Sequence, residues 1–212
     1  MFNCSETSKS LVRRRYDQLA RLYDLIEGGM EFFVGEKWRS RLNSLVSGDK
    51  ILEVGVGTGR NIPFYQPSKK YTSIDLSPNM LKRATIKGHQ AGLEIEFLVM
   101  DVEHLAFKDN LFDTVIASFT FCTVADPVKG LAELGRVCKP GGRLLMIEHV
   151  RPKRRFMGAL FDILNPLMWW TIADNINRNT ISHVERAGWE IEFTHPLSSD
   201  IILLIQARCP PH

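Results

Sequence analysis

The chain of 212 residues is 44% hydrophobic and carries 27 basic against 24 acidic residues, a formal net charge of +3. That length allows one sizeable core and is short for two independent domains, so a single domain over 1–212 is expected, without the basic footprint of a nucleic-acid binder. Four cysteines (Cys4, Cys122, Cys138, Cys209) without C-x-x-C spacing predict reduced thiols in a cytoplasmic protein and no metal site. No apolar core of a signal peptide precedes the first charges, and nowhere do eighteen uncharged apolar residues run together, so neither secretion by such a peptide nor a membrane span is expected.

From residue 9 to about 46 the pattern is helical and is expected to form an N-terminal cap. Tyr16, Leu19, Ala20, Tyr23 and Ile26 share a face, Arg13, Arg14, Asp17 and Arg21 fall elsewhere, and Gly28-Gly29 should split the segment. The first strand is expected at residues 50–54, and others at KYTSID (70–75), EIEFLVMD (94–101), FDTVIASF (112–119) and GRLLMIEHV (142–150). Helical stretches near 60–66, 78–89 and 127–138 separate them. Such alternation implies right-handed crossovers and a doubly wound, mostly parallel, Rossmann-like α/β sheet. The end departs from it: residues 180–209 read helix, strand, loop, strand, which predicts a final antiparallel hairpin and brings the sheet to seven strands. Residues 151–180, RPKRRFMGALFDILNPLMWWTIADNINRNT, look like an insertion after the fifth strand, opening with four basic residues in five. Pro166 should limit any helix in its middle.

The stretch ILEVGVGTGRNIPFY (51–65) places Gly55, Gly57 and Gly59 just after the first strand, where open parallel sheets bind ligands. Glycine there removes Cβ where a ligand touches backbone, and Thr58 or Asn61 could cap the following helix. Two ligands compete: a dinucleotide, whose fingerprint is G-x-G-x-x-G, and an adenosyl amino acid. Here the third glycine comes one residue early and Glu53 precedes the turn; a carboxylate repels a pyrophosphate and attracts an ammonium group, which favours S-adenosylmethionine. Asp75, at the end of the second strand, could accept both ribose hydroxyls. Ser77 should cap a helix that has Pro78 in its first turn. Asp101, at the end of the third strand, could take the adenine amino group, with the Val102 N–H on a ring nitrogen.

ILEVGVGTGRN, SIDLSPNML, FLVMDVEHLAF, FDTVIASF and LAELGRVCKPGGRLLMIEH resemble, in order, the motifs of class I S-adenosylmethionine-dependent methyltransferases. The resemblance implies that Glu53 faces the methionine ammonium, Gly55 and Gly57 line its path, Asp75 holds the ribose, Asp101 and Val102 hold the adenine, and Leu76 packs on the adenine. Within the class, EVGVGTGRNIPFY and IDLSPNML are similar to bacterial phospholipid N-methyltransferases and quinone C-methyltransferases. EHV followed by NPLMWWTIADNINRNT is similar to the small thiol methyltransferases of the methyltransferase-like group.

On the acceptor side, methyl transfer from a sulfonium is an in-line displacement that chiefly needs the acceptor held behind the methyl carbon in a dry pocket. Candidates at the ends of the fourth and fifth strands are Phe119, grouped with the cofactor residues, His149, which could take a proton from an ammonium or a thiol near neutral pH, and Arg151. A structural, hydrogen-bonded His149 is the competing reading. Tyr16 and Tyr23 could close over the methionine end. Trp169 and Arg178, from the 151–180 insertion, are candidate acceptor contacts; that insertion is either a hydrophobic lid or, through 151–170, a peripheral contact with the inner membrane surface. The expected partner is a small-molecule or lipid substrate and no nucleic acid. The favoured acceptor is a phosphatidylethanolamine-type head-group amine, with a small thiol or a quinone precursor as alternatives. A dinucleotide-binding oxidoreductase and a non-catalytic S-adenosylmethionine-binding module are the readings from other classes.

Overall fold

The computed structural model describes residues 9–20, 35–152, 155–172 and 175–210. Gly28-Gly29 and Tyr23, expected to split and to contribute to the N-terminal cap, lie outside them. Five strands run parallel: β1 (Lys50–Val54), β2 (Lys70–Asp75), β3 (Ile95–Val99), β4 (Phe112–Ser118) and β5 (Cys138–His149). The hairpin β6 (Glu190–Ser198) and β7 (Ile202–Arg208) follows, and β7 is antiparallel to both of its neighbours. The order β3-β2-β1-β4-β5-β7-β6 makes one seven-stranded sheet. Helices are α1 (residues 9–20), α2 (Gly35–Ser44), α3 (Pro78–Gln90), α4 (Pro127–Val137), α5 (Arg155–Ile172) and α6 (Thr180–Arg186).

The central strands are apolar on both faces because helices cover both, and their side chains alternate between two cores. Leu52 and Val54, Val115 and Ala117, and Leu144 and Met146 face one side, with Leu131 and Leu134 of α4 and Val184 of α6. Ile51, Ile116, Leu145 and Ile147 face the other, with Leu42 of α2 and Ala84 of α3. The edge strand β6 alternates between half-buried and exposed residues along its length, and it tolerates Pro196, which a central strand would not.

One device starts three helices. Ser77 accepts from the Met80 N–H at 3.1 Å ahead of Pro78 in α3, Asp126 from the Lys129 N–H at 3.1 Å ahead of Pro127 in α4, and Asn179 from the Ser182 N–H at 3.3 Å in α6. The helix expected over 60–66 is instead a single 3-10 turn, Ile62–Phe64. Asn61 stands at its start without a side-chain capping bond: its Oδ1 accepts from Arg39, and its amide nitrogen donates to Glu53 and Ser118. A second expectation also fails: α5 runs for 18 residues through Pro166. The carbonyl that loses its N–H partner, that of Asp162, lies on an exposed turn where water can serve it.

Candidate active site

Strand order reverses between β1 and β4, and the carboxyl ends of β1 to β4 open there into a cavity of about 1050 Å³, mouth included. Gly57 lines it with φ +56°, a backbone that disfavours any side chain, and no atom outside the loop approaches its missing Cβ position. Its N–H donates to Asp75 Oδ2 at 2.8 Å, and the Ser77 N–H donates to Asp75 Oδ1 at 2.8 Å. Burial pushes the Asp75 carboxyl up to about 6, against the pull of these N–H groups. Gly55 also lines the cavity; Gly59 is not among the described lining residues. A Cβ on Gly59 would come within 2.6 Å of Ile62 Cδ1 and 3.0 Å of Ala84 Cα, so its smallness serves the packing of the loop on α3.

Glu53 lines the floor of the cavity and is 2% exposed. Asn61 Nδ2 donates to its Oε1 at 2.6 Å and the Tyr65 hydroxyl to its Oε2, while Arg39, from α2, donates to Asn61 Oδ1 at 3.0 Å. Tyr65 is fixed by stacking on Tyr71, 3.7 Å between ring centroids. Burial raises Glu53 to about 7 even though Tyr65, Asn61 and Arg39 favour its charged form. A carboxylate held this way is short of positive charge.

Asp101, Val102 and Leu76 all line the cavity. Asp101 is already engaged: Lys9, from α1, lies 2.7 Å from its Oδ2 and 2.7 Å from Glu103 Oε2. Burial works to raise the Asp101 carboxyl, but Lys9 and the Glu103 N–H hold it below the usual range. The α1 helix is also bound through Asp17, which accepts from Ser77 Oγ and the Asn79 N–H, and its Tyr16 lines the cavity.

Phe119 enters the cavity from the end of β4 with φ +54°, costly for a bulky residue and retained where the surroundings over-determine it. The Phe119 N–H bonds Ile147 O at 2.8 Å. Fully buried Glu148 accepts from the Thr120 and Phe121 N–H groups at 2.9 Å each, and Arg39 lies 5.7 Å above the Phe119 ring.

His149 is not among the described lining residues; its ring packs on Phe119, centroids 4.9 Å apart, behind the cavity wall. Arg151, Trp169 and Arg178 do not line it either. The Arg151 guanidinium is paired with Asp162 at 2.8 Å, the Trp169 carbonyl accepts from Arg15 at 2.6 Å, and Arg178 donates to Val124 O at 2.7 Å. The first two tie α5 to the segment after β5 and to α1. Arg39, Asn61 and Tyr65 were not foreseen as site residues. For Asn61 and Tyr65 the signal was present, since both stand within the glycine motif; Arg39 arrives by tertiary packing alone.

A carboxyl-edge cavity at a switch point, with a bare glycine turn and acidic strand ends, defines an α/β protein for an adenosyl-type ligand. S-adenosylmethionine fits these residues: a side-chain-free cradle at Gly57, a buried carboxyl short of a cation at Glu53, and a carboxyl braced by the loop at Asp75. Residues 52–146 match the family described as methyltransferase domain. The phosphatidylethanolamine N-methyltransferase of Cereibacter sphaeroides is 39% identical over 142 residues, 65% of this chain and 68% of its own. The demethylmenaquinone methyltransferase of Thermus thermophilus is 33% identical over 154 residues, 70% of each chain. A crystal structure of a methyltransferase from Aquifex aeolicus superposes with TM-score 0.61 at 23% identity, covering 86% of this chain and 93% of its own, a likeness of fold. The chain belongs to this methyltransferase family and is an S-adenosylmethionine-dependent enzyme. That settles the choice against the oxidoreductase reading of the glycine loop.

Proposed function

We infer that the enzyme methylates a small amphipathic acceptor, with a phosphatidylethanolamine-type head-group amine favoured. The observation that carries the reading is that Tyr16 and Phe119 both line a cavity that also presents buried carboxyls. An amine becomes fully cationic as it is methylated, and ring faces attract that charge. The 39% identity to a phosphatidylethanolamine N-methyltransferase supports the same acceptor. A quinone precursor is the second reading, supported by the 33% identity to a demethylmenaquinone methyltransferase.

The bound sulfonium supplies an electrophilic methyl group, and this chain's residues provide position and environment. Glu53, held by Asn61 and Tyr65, would face the ammonium end, Gly57 would leave room for its path, Asp75 would take the ribose hydroxyls, and Asp101 and Val102 would take the adenine edge. Phe119, locked by Glu148 through the 119–121 backbone, and Tyr16 from α1 exclude water and confine the acceptor. A screen of labelled methyl transfer to phosphatidylethanolamine, demethylated quinols and small thiols tests the assignment. Label on the phospholipid is the expected result; label on the quinol or thiol alone would refute the head-group reading.

A further inference from the structure

The outer face of α5 is apolar where a surface helix is usually polar. Phe156, Leu160, Ile163, Leu164, Leu167 and Trp170 are all exposed, with Phe156 at 81%, Ile163 at 74% and Trp170 at 72%. At about 100° per residue they form one stripe about 120° wide. The opposite side of the helix carries buried Gly158 and half-buried Asn165 and Trp169, with Asn165 donating to Asn175 and the Trp169 carbonyl bonded by Arg15. The helix thus packs half-buried Met157, Phe161, Met168 and Trp169, with Gly158 and Asn165, toward the protein and turns a second apolar face outward. Applying each exposure to a residue of that size gives roughly 700 Å² of apolar surface, above the ~300–600 Å² usual for the largest patch on a monomer.

Charge indicates what covers this face. Residues 151–172 contain four basic residues (Arg151, Lys153, Arg154, Arg155) and one acidic (Asp162), a surplus of three that equals the net +3 of the whole chain. Everything outside the segment is therefore neutral on balance. Position adds to this, because Arg15, bonded to the Trp169 carbonyl, belongs to the helix whose Tyr16 lines the cavity, and Arg178 bonds the carbonyl of Val124, itself in the wall.

We propose that the outward face of α5 is an interfacial contact that seats the cavity mouth on an anionic lipid bilayer. Its apolar stripe enters the acyl boundary, and the positive surplus of the segment favours an anionic surface. Among the described residues no helix is long and apolar enough to cross a membrane, so the contact lies on the surface. This deepens the amphipathic-acceptor reading and rests on it for its purpose, since a mouth held at the interface receives an acceptor without extracting it into water.

The test is sedimentation of the full-length protein with phosphatidylcholine vesicles, with and without phosphatidylglycerol, at low and high salt. Wild type should pellet with the anionic vesicles and be released by salt. Ile163→Glu combined with Trp170→Glu should weaken partitioning about tenfold or more. Its melting temperature and affinity for S-adenosylhomocysteine should not change, because both positions are exposed. Failure of wild type to pellet, or equal pelleting of the variant, overturns the proposal. So does a concentration-dependent dimer, seen in the ultracentrifuge and lost in the variant, because a second copy would then cover the face. Pelleting without methylation of any lipid supports the membrane contact and overturns the head-group reading. Methylation of a detergent-dispersed lipid without pelleting does the reverse.

Discussion

Glu53→Gln should stabilise the free enzyme and weaken its hold on the cofactor. The amide fits the existing network: its oxygen continues to accept from Asn61, and its nitrogen donates to the Tyr65 oxygen, whose proton can turn to Ser73 Oγ, 3.1 Å away. In the folded protein the Glu53 carboxyl is raised from 4.5 to about 7, so folding favours its protonated form. The stability this contributes is complete below the unfolded value and is lost as pH rises through about 7. By about pH 8 the ionised group costs about 3 kcal/mol relative to the unfolded chain, a cost that glutamine avoids. Thermal melts without ligand should show the variant higher by roughly 5–10 °C at about pH 8, and the gain should shrink below about 1 kcal/mol near pH 5. Calorimetry should show S-adenosylhomocysteine bound about 10- to 100-fold more weakly, the value of a charge-assisted hydrogen bond. A variant that melts no higher at the alkaline end, or that binds as tightly as wild type, would refute the assignment of Glu53 as a charge kept for a cationic ligand.

The same carboxyls predict pH-dependent binding. With Glu53 at about 7 and Asp75 at about 6, affinity for S-adenosylhomocysteine should fall by about tenfold per pH unit below 7 and more steeply below 6; a flat profile from pH 6 to 8 in calorimetric titrations contradicts this. The glycines should separate by role. Gly57→Ala should lose cofactor affinity with about 1 kcal/mol of destabilisation. Gly59→Ala should lower the melting temperature while affinity, measured well below it, holds; the opposite pattern in paired melts and titrations would reverse the assignment. His149→Phe keeps a ring against Phe119 and should retain most methyl transfer, whereas a loss of about tenfold or more in kcat at unchanged KM would restore a proton-transfer role. Glu148→Ala leaves the Thr120 and Phe121 N–H groups without their acceptor in a buried site and should cost ~2–4 kcal/mol in chemical denaturation, with methyl transfer falling as Phe119 loses its place.

Strands β1 to β5 were legible to within a few residues because β1, β4 and β5 carry apolar runs between turn residues and β2 and β3 alternate with helical stretches, and the cap at Ser77 is local chemistry. What the sequence concealed depends on partners distant along the chain. Asn61 looks like a cap until Arg39 claims its Oδ1 and Glu53 its amide nitrogen, and the next element is a 3-10 turn. Gly59 belongs to the motif by spacing and to the packing against Ala84 by geometry. Arg39 stands outside every motif and reaches both Asn61 and Phe119 only once α2 is docked. His149 stands at a strand end, where catalytic groups gather, yet it is Phe119, left-handed at φ +54° and packed on the His149 ring, that lines the cavity. The aromatics of 151–180 announced an apolar segment, and only the helix through Pro166 showed that their stripe faces outward.

The central claim is that acidic strand tips and a bare glycine turn hold the methyl donor. A crystal structure of the enzyme with S-adenosylhomocysteine tests it most directly. The amino group should lie nearest Glu53, the ribose hydroxyls should bond Asp75, and the adenine should lie along Leu76 and Val102, with its amino group displacing or sharing Lys9 at Asp101. A nucleoside bound elsewhere, or one that leaves Asp75 bonded only to Gly57 and Ser77, would contradict it.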